Sequence, residues 1–329
     1  MEFLSLNDSE MEFGESLHVP KYESSIPKEI TDSILQREKL PELPKLKSSI
    51  VEDFIFDKIE AGIIDPEIIA QNFLDEGGKE KLETMINEVK EKSQSLDWEK
   101  IFTIDHAKNI QGKICEILKS MGADENKILS LSEINVDIRE SMGPSGVSSD
   151  GVYVSRLQVV RKAMDYVSIF GDESQLDEIV KIFMSSTIGH ELGHKINSIM
   201  ELVENRIDLD KNWEKNGSTG ENRSERFAEF WGMAVLDDEA RKIKNREWLV
   251  QLKIVNRLWE KIDNYNLEHD EKIDLAGIFN YLSDKVQGCD LEVGKFIKAR
   301  NTFYGGSEVE NYASPYSQET VEKAIKNRV

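Results

Sequence analysis

The sequence is poor in several residue classes, and each shortage removes a set of functions. Cysteine occurs twice, as Cys115 and Cys289, and neither has a partner at C-x-x-C spacing. A disulfide framework is excluded and a reducing compartment is allowed. Positive charge is in deficit: 42 Lys and Arg stand against 63 Asp and Glu, a net charge of −21. That sign argues against binding nucleic acid or an anionic membrane through a general field. No run approaches 18 apolar residues, so no membrane span is expected. The start of the chain, Met1-Glu2-Phe3-Leu4-Ser5-Leu6, has no basic region and no apolar core, so no signal peptide is expected. A cytoplasmic location is the default, and export by a non-classical route fits the same features. Histidine is also scarce, with five residues in 329.

Two of those five fall in one motif, His190-Glu191-Leu192-Gly193-His194. Ile179, Ile182, Phe183, Ile188 and Leu192 give the surrounding stretch an apolar stripe at helical spacing. In a helix, His190 and His194 share a face and can aim both imidazoles at one divalent cation. Zn²⁺ is the expected ion, with imidazole bonds of about 2.0–2.1 Å. Glu191 projects beside that face without ligating, where a general base must stand to reach water at the metal's open position. Two unpaired histidines and a glutamate on a mostly buried helix would otherwise be costly. His18 and His106 lie in polar surroundings and read as ordinary surface residues.

Along the chain, residues 1–47 read as an acidic mobile extension and linker, broken by Pro41-Glu42-Leu43-Pro44. Residues 48–128 read as a helical N-terminal subdomain. Helices are expected over Ser48–Ala61, from Pro66 behind an Asp65 cap to Gly77-Gly78, over Lys79–Ser93, and over Asp105–Met121 with Gly122 past its end. Residues 129–329 read as the catalytic domain. Ile134–Arg139 alternates apolar and polar, and Val152–Ser155 reads as a second strand whose edge can receive an extended peptide. A helix over Leu157–Phe170 precedes the metal helix, which begins near 172–174 and runs to about Leu202. The polar run Asn205–Ser224 reads as a loop, with Ser224 capping a helix over Glu225–Leu236. Further helices are expected over Lys242–Ile262, Lys272–Val286, Leu291–Lys298 and Ser317–Val329. The fold class is therefore α+β, mostly α, with a small sheet ahead of the metal-binding helix.

Catalytic zinc usually takes three protein ligands and keeps one position open. A third histidine at metzincin spacing is excluded, because Asn197 and Met200 stand where its Gly and His belong. The segment Ser224-Glu225-Arg226-Phe227-Ala228-Glu229 supplies carboxylates instead, starting 31 residues after His194. Glu225 and Glu229, four apart on one face, suit a metal ligand and a second carboxylate that orients His190 through its other ring nitrogen. Glu201, Glu204 and Glu214 are weaker competitors. Asp208-x-Asp210-x-Asn212 begins like a calcium loop but carries Trp213 at the turn glycine and Thr219 at the closing glutamate.

His-Glu-Leu-Gly-His followed by Glu-Arg-Phe-Ala-Glu resembles the gluzincin branch of the zincin metallopeptidases. The Glu-x-Phe-Ala-Glu form is most similar to the group of anthrax lethal factor and the Pro-Pro endopeptidases, and the same helix is also similar to the ImmA/IrrE peptidases. The resemblance covers about residues 130–240. It implies a zincin-like domain with His190, His194 and Glu225 as zinc ligands and Glu191 as base. Lys195 departs from the usually uncharged residue at its position. The tyrosine those families carry shortly before the third ligand is missing, with none between Trp213 and Glu225. Tyr304, Tyr312, Tyr316, His269 and Arg223 remain open as substitutes for its role in stabilising the oxyanion.

The expected activity is zinc-dependent hydrolysis of peptide bonds in a protein or peptide substrate. Two alternatives stand beside it: a zincin held latent by its N-terminal segment, and a non-catalytic, zinc-stabilised binding or scaffold protein.

Overall fold

The computed structural model describes residues 50–171, 173–200, 219–247 and 317–326, with isolated positions 265, 268, 269, 273, 278, 281, 282, 285 and 315. The expected extension at 1–47, the would-be calcium loop and most of the helices expected after 247 lie outside these.

The N-terminal part is helical: α1 (Ile50–Glu60), α2 (Pro66–Asp75), α3 (Gly78–Ser95), the single turn α4 (Trp98–Ile101), α5 (Ile104–Ser120) and α6 (Glu125–Ser132). Local chemistry sets the boundaries. Asp65 accepts from the amides of Glu67 and Ile68 and caps α2, with Pro66 at the first helical position. Thr103 caps α5 by accepting from the His106 amide, and Asp124 caps α6. Gly77 and Gly122, at φ +74° and +83°, turn the chain at the ends of α2 and α5 in a conformation that disfavours a Cβ.

A three-stranded sheet follows, formed by β1 (Asn135–Arg139), β2 (Gly146–Val147) and β3 (Gly151–Ser155) in the order β1-β3-β2. β3 pairs parallel with β1, Val136 facing Val152 and Ile138 facing Val154, and antiparallel with β2. This corrects the expectation that Val152–Ser155 offers a free edge. β3 is the centre strand, Val152 and Val154 are buried, and the edges belong to β1 and β2.

The chain then passes into α7 (Arg156–Phe170), a 3₁₀ turn (Glu173–Gln175) and α8 (Leu176–Met200), the 25-residue helix that carries the motif. α9 (Thr219–Ala234) packs along it, residues 238–247 are helical, and α10 (Gln318–Lys326) closes the described chain. One apolar cluster joins α5 (Ile110, Ile114, Leu118), β3, α7, α8, α9 and α10 (Val321, Ile325). It runs straight across residue 128, so α5 and α6 share the core of the helix that carries the motif.

α8 and α9 pack almost backbone to backbone. A Cβ built on Gly193 would lie 2.7 Å from the Ala228 Cα, and one on Gly189 would lie 2.7 Å from the Trp231 carbonyl oxygen. From the other side, a Cβ on Gly232 would lie 2.9 Å from the Ser186 carbonyl oxygen. The small residues Gly189, Gly193, Ala228 and Gly232, four apart on each helix, let the two approach this closely.

Candidate metal centre

α8 supplies the first half of the site. His190 and His194 lie one turn apart, with ring centroids 4.8 Å apart and Nε2 atoms 3.1 Å apart. α9 supplies the second half. Glu225 places Oε2 3.3 Å from His190 Nε2 and Oε1 3.5 Å from His194 Nε2. Ligand atoms of the three side chains all lie within 4.8 Å of one another, and the three can hold a metal ion. The spacing fits one small cation. Tetrahedral bonds of about 2.0–2.1 Å separate donor atoms by about 3.3–3.4 Å, close to all three edges of this triangle.

Each imidazole is anchored through its other nitrogen, so both Nε2 atoms face the common point. His190 Nδ1 donates to Glu229 Oε2 over 3.0 Å, and His194 Nδ1 shares a hydrogen bond with Ser224 Oγ over 3.2 Å. Asn197 Nδ2 also donates to Ser224 Oγ, over 3.4 Å. Such anchoring fixes the tautomer and ring orientation of a ligating histidine. Ser224 and its link to Asn197 are additions to the residues expected from sequence. The reading of Ser224 as a helix cap is corrected: α9 already begins at Thr219, and Ser224 lies inside it with its hydroxyl on His194.

Burial would depress the basicity of His190, but the Glu225 and Glu229 carboxylates outweigh it and push its pKa up to about 10. Burial likewise works to raise the Glu229 carboxyl. Lys244, the hydrogen bond from His190 and Lys162 overcome it and hold that carboxyl below its usual range. In the metal-free chain the centre is therefore an imidazolium between carboxylates, the arrangement a divalent cation would replace. The side chains of His190, His194 and Glu225 are about one-fifth to one-quarter exposed, at 21%, 18% and 26%. Solvent thus reaches the triangle, while Glu191 beside it is buried.

Lys195, next to His194, reaches away from the triangle. Its Nζ donates to the carbonyls of Ser148 and, over 3.2 Å, Ser149, tying the β2–β3 turn to α8. Of the substitutes considered for oxyanion stabilisation, His269 is exposed, stacked on Tyr265 at 4.0 Å, with Nδ1 on the Tyr265 carbonyl. Tyr304, Tyr312, Tyr316 and the Arg223 side chain lie outside the described residues, as do Glu201, Glu204 and Glu214. His106 is not an ordinary surface residue: it is half-buried, with Nε2 2.9 Å from Ser185 Oγ.

No helix among the described residues is long and apolar enough to cross a membrane. The chain matches no protein-family model, no curated protein and no solved structure.

Proposed function

We propose that this chain is a zinc-dependent endopeptidase of the gluzincin type. The observation that carries the reading is the convergence of His190, His194 and Glu225, from two separate helices, on one solvent-reached point. Structural zinc sites close with four protein ligands; among the described residues this one has three. The donor set of two imidazoles and a carboxylate suits zinc among the divalent ions. When bound, zinc would polarise the scissile carbonyl and acidify a water molecule.

The chain's own residues do the rest. Glu191, buried beside the ligands, takes the proton of the attacking water and returns it to the leaving amine. Glu229 and Ser224 hold the two imidazoles in register. An extended peptide would pair with the edge strand β2, whose turn Lys195 ties to α8, and would present its carbonyl at the exposed side of the triangle.

The test replaces Glu191 with Gln. The variant should bind zinc with unchanged stoichiometry and lose cleavage of a peptide library by about 10²–10⁴-fold. Undiminished, chelator-sensitive cleavage would remove Glu191 from the reaction. A zinc-loaded wild-type chain that cleaves nothing in such a library would favour the scaffold alternative. The latency alternative now concerns residues ahead of Ile50. A cut near residue 126 would strip Ile110, Ile114 and Leu118 from the core, so the informative comparison is the full chain against one starting at Ile50.

A further inference from the structure

The edge strand β2 has only two residues, Gly146 and Val147, yet it is braced at both ends. Before it, the Ser155 amide donates to Ser145 Oγ over 3.0 Å and Ser155 Oγ donates to the Pro144 carbonyl over 3.1 Å, which holds the approach to β2 against β3. After it, the carbonyls of Ser148 and Ser149 turn toward α8, where both accept from Lys195 Nζ. Lys195 is half-buried and follows His194 in the chain. One ammonium therefore ties the turn to the helix at the residue next to a candidate metal ligand.

Between the two braces, the backbone of Val147 is left facing outward. Gly146 pairs with Tyr153, and the Ser148 amide donates to the Gly151 carbonyl over 2.9 Å, so residues 146 and 148 turn their amides toward β3. The alternation of an antiparallel ladder then points the N–H and C=O of Val147 away from β3. The Val147 side chain shares a face of the sheet with Val152, its partner across the ladder. Val152 is buried in the core that α8 shares, and α8 packs against both β2 and β3, so Val147 overlooks that helix. It is nonetheless 45% exposed, at an edge that no further strand covers among the described residues.

We propose that Lys195 is a positioning residue for the substrate: it fixes the β2 edge beside the metal centre, so that an extended peptide pairs with Val147 and sets an apolar side chain against it. The proposal rests on the endopeptidase reading and adds to it the means of placement and the class of peptide. A substrate residue paired with Val147 donates to and accepts from its two outward groups, and its side chain falls on the α8 face beside the Val147 methyls. An apolar side chain there removes water from both surfaces. Lysine suits the strap because one ammonium carries three donors and can serve two carbonyls at once. A two-residue strand has little ladder of its own, so without that ammonium the edge loses its register with α8.

The test uses the zinc-loaded full chain and a peptide that the wild type cleaves. Lys195→Met should raise KM about tenfold at nearly constant kcat, with zinc stoichiometry unchanged. Lys195→Arg, whose guanidinium can also donate to two carbonyls, should recover most of the loss. A scan of Leu, Ser and Asp through the substrate should find one position where Leu is preferred and where Val147→Ala lowers that preference about tenfold. Amide hydrogen exchange of the metal-free chain reads the strap without activity: residues 146–151 should exchange about tenfold faster in Lys195→Met than in the wild type. Unchanged exchange there would overturn the strap whatever the chain cleaves. A wild type that cleaves while Lys195→Met keeps its KM, or a Leu preference that Val147→Ala does not move, would overturn this proposal and leave the endopeptidase reading standing. A zinc-loaded wild type that cleaves nothing would remove that reading and the substrate named here together. The Val147 substitution, at an exposed side chain, keeps the test decisive should Lys195→Met fail to fold.

Discussion

Glu229 Oε2 lies 3.0 Å from His190 Nδ1, on the side of the ring opposite His194 and Glu225. The carboxylate holds Nδ1 as a donor and leaves Nε2 to face the common point. Glu229→Gln keeps the size of the side chain but removes the charge that raises the basicity of His190. Zinc affinity should fall about 10–100-fold, read by competition with a chromogenic chelator. An unchanged affinity would mean that the ring is held by packing alone.

The Gly193–Ala228 contact sets how close the two halves of the centre come. In Gly193→Ala the new methyl would lie 2.7 Å from the Ala228 Cα and 3.1 Å from its carbonyl oxygen, both backbone atoms of α9. Gly→Ala in a helix interior gains about 1 kcal/mol. Forcing the helices apart costs about 1–3 kcal/mol, so the variant should be net destabilised, with weaker zinc binding. Gly112→Ala in α5 is the control, since nothing lies within 4 Å of its Cβ. It should be stabilised by about 0.4–1 kcal/mol. Urea unfolding of both variants separates close approach from helix propensity.

Where sequence and structure agree, the signal is local. Asp65-Pro66 starts a helix because its carboxylate and its missing N–H answer needs within one turn. Gly122 ends α5 because φ there is +83°. The relation of Glu229 to His190 spans 39 residues, yet it is legible because Glu225 and Glu229 lie on one helical face and a ligating histidine needs an anchor. What the sequence hides is tertiary. β2 has two residues, too few to display an alternation, and its presence moves Val152–Ser155 from edge to centre. The polar residues from Thr219 onward are helical because α9 packs along α8, which overrides their loop-like composition. The partnership of His106 with Ser185 crosses 79 residues and has no local trace.

His106 makes stability depend on pH. Burial, Lys181 and Lys113 hold its folded-state pKa below its ordinary value. Such a group contributes stability that is present above the ordinary imidazole pKa, near 6.5, and is lost as pH falls through the depressed folded value. His106→Gln keeps a donor for Ser185 but does not titrate. Urea midpoints measured from pH 8 down to pH 5 should fall less steeply in this variant than in the wild-type chain. Parallel slopes would show that His106 protonates as readily in the folded chain as in the unfolded one.

Loading the centre must displace a proton. With its pKa pushed up to about 10 by Glu225 and Glu229 against the effect of burial, His190 is an imidazolium at neutral pH in the metal-free chain. Its raised pKa stabilises that form fully below the ordinary imidazole value, and the contribution is lost as pH rises through about 10. A cation accepts lone pairs only, so binding at pH 7–8 expels the proton on Nε2, while Nδ1 keeps its own proton on Glu229. Calorimetry of zinc binding in buffers of different ionisation enthalpy should therefore report release of about one proton from this residue. Apparent affinity should rise roughly tenfold per pH unit across this range. In Glu229→Gln the release should shrink, because the carboxylate that helps hold the proton on His190 is gone. Zinc binding with no proton release at pH 7 would mean that His190 is already neutral there, and that the carboxylates do not raise its basicity as their distances imply.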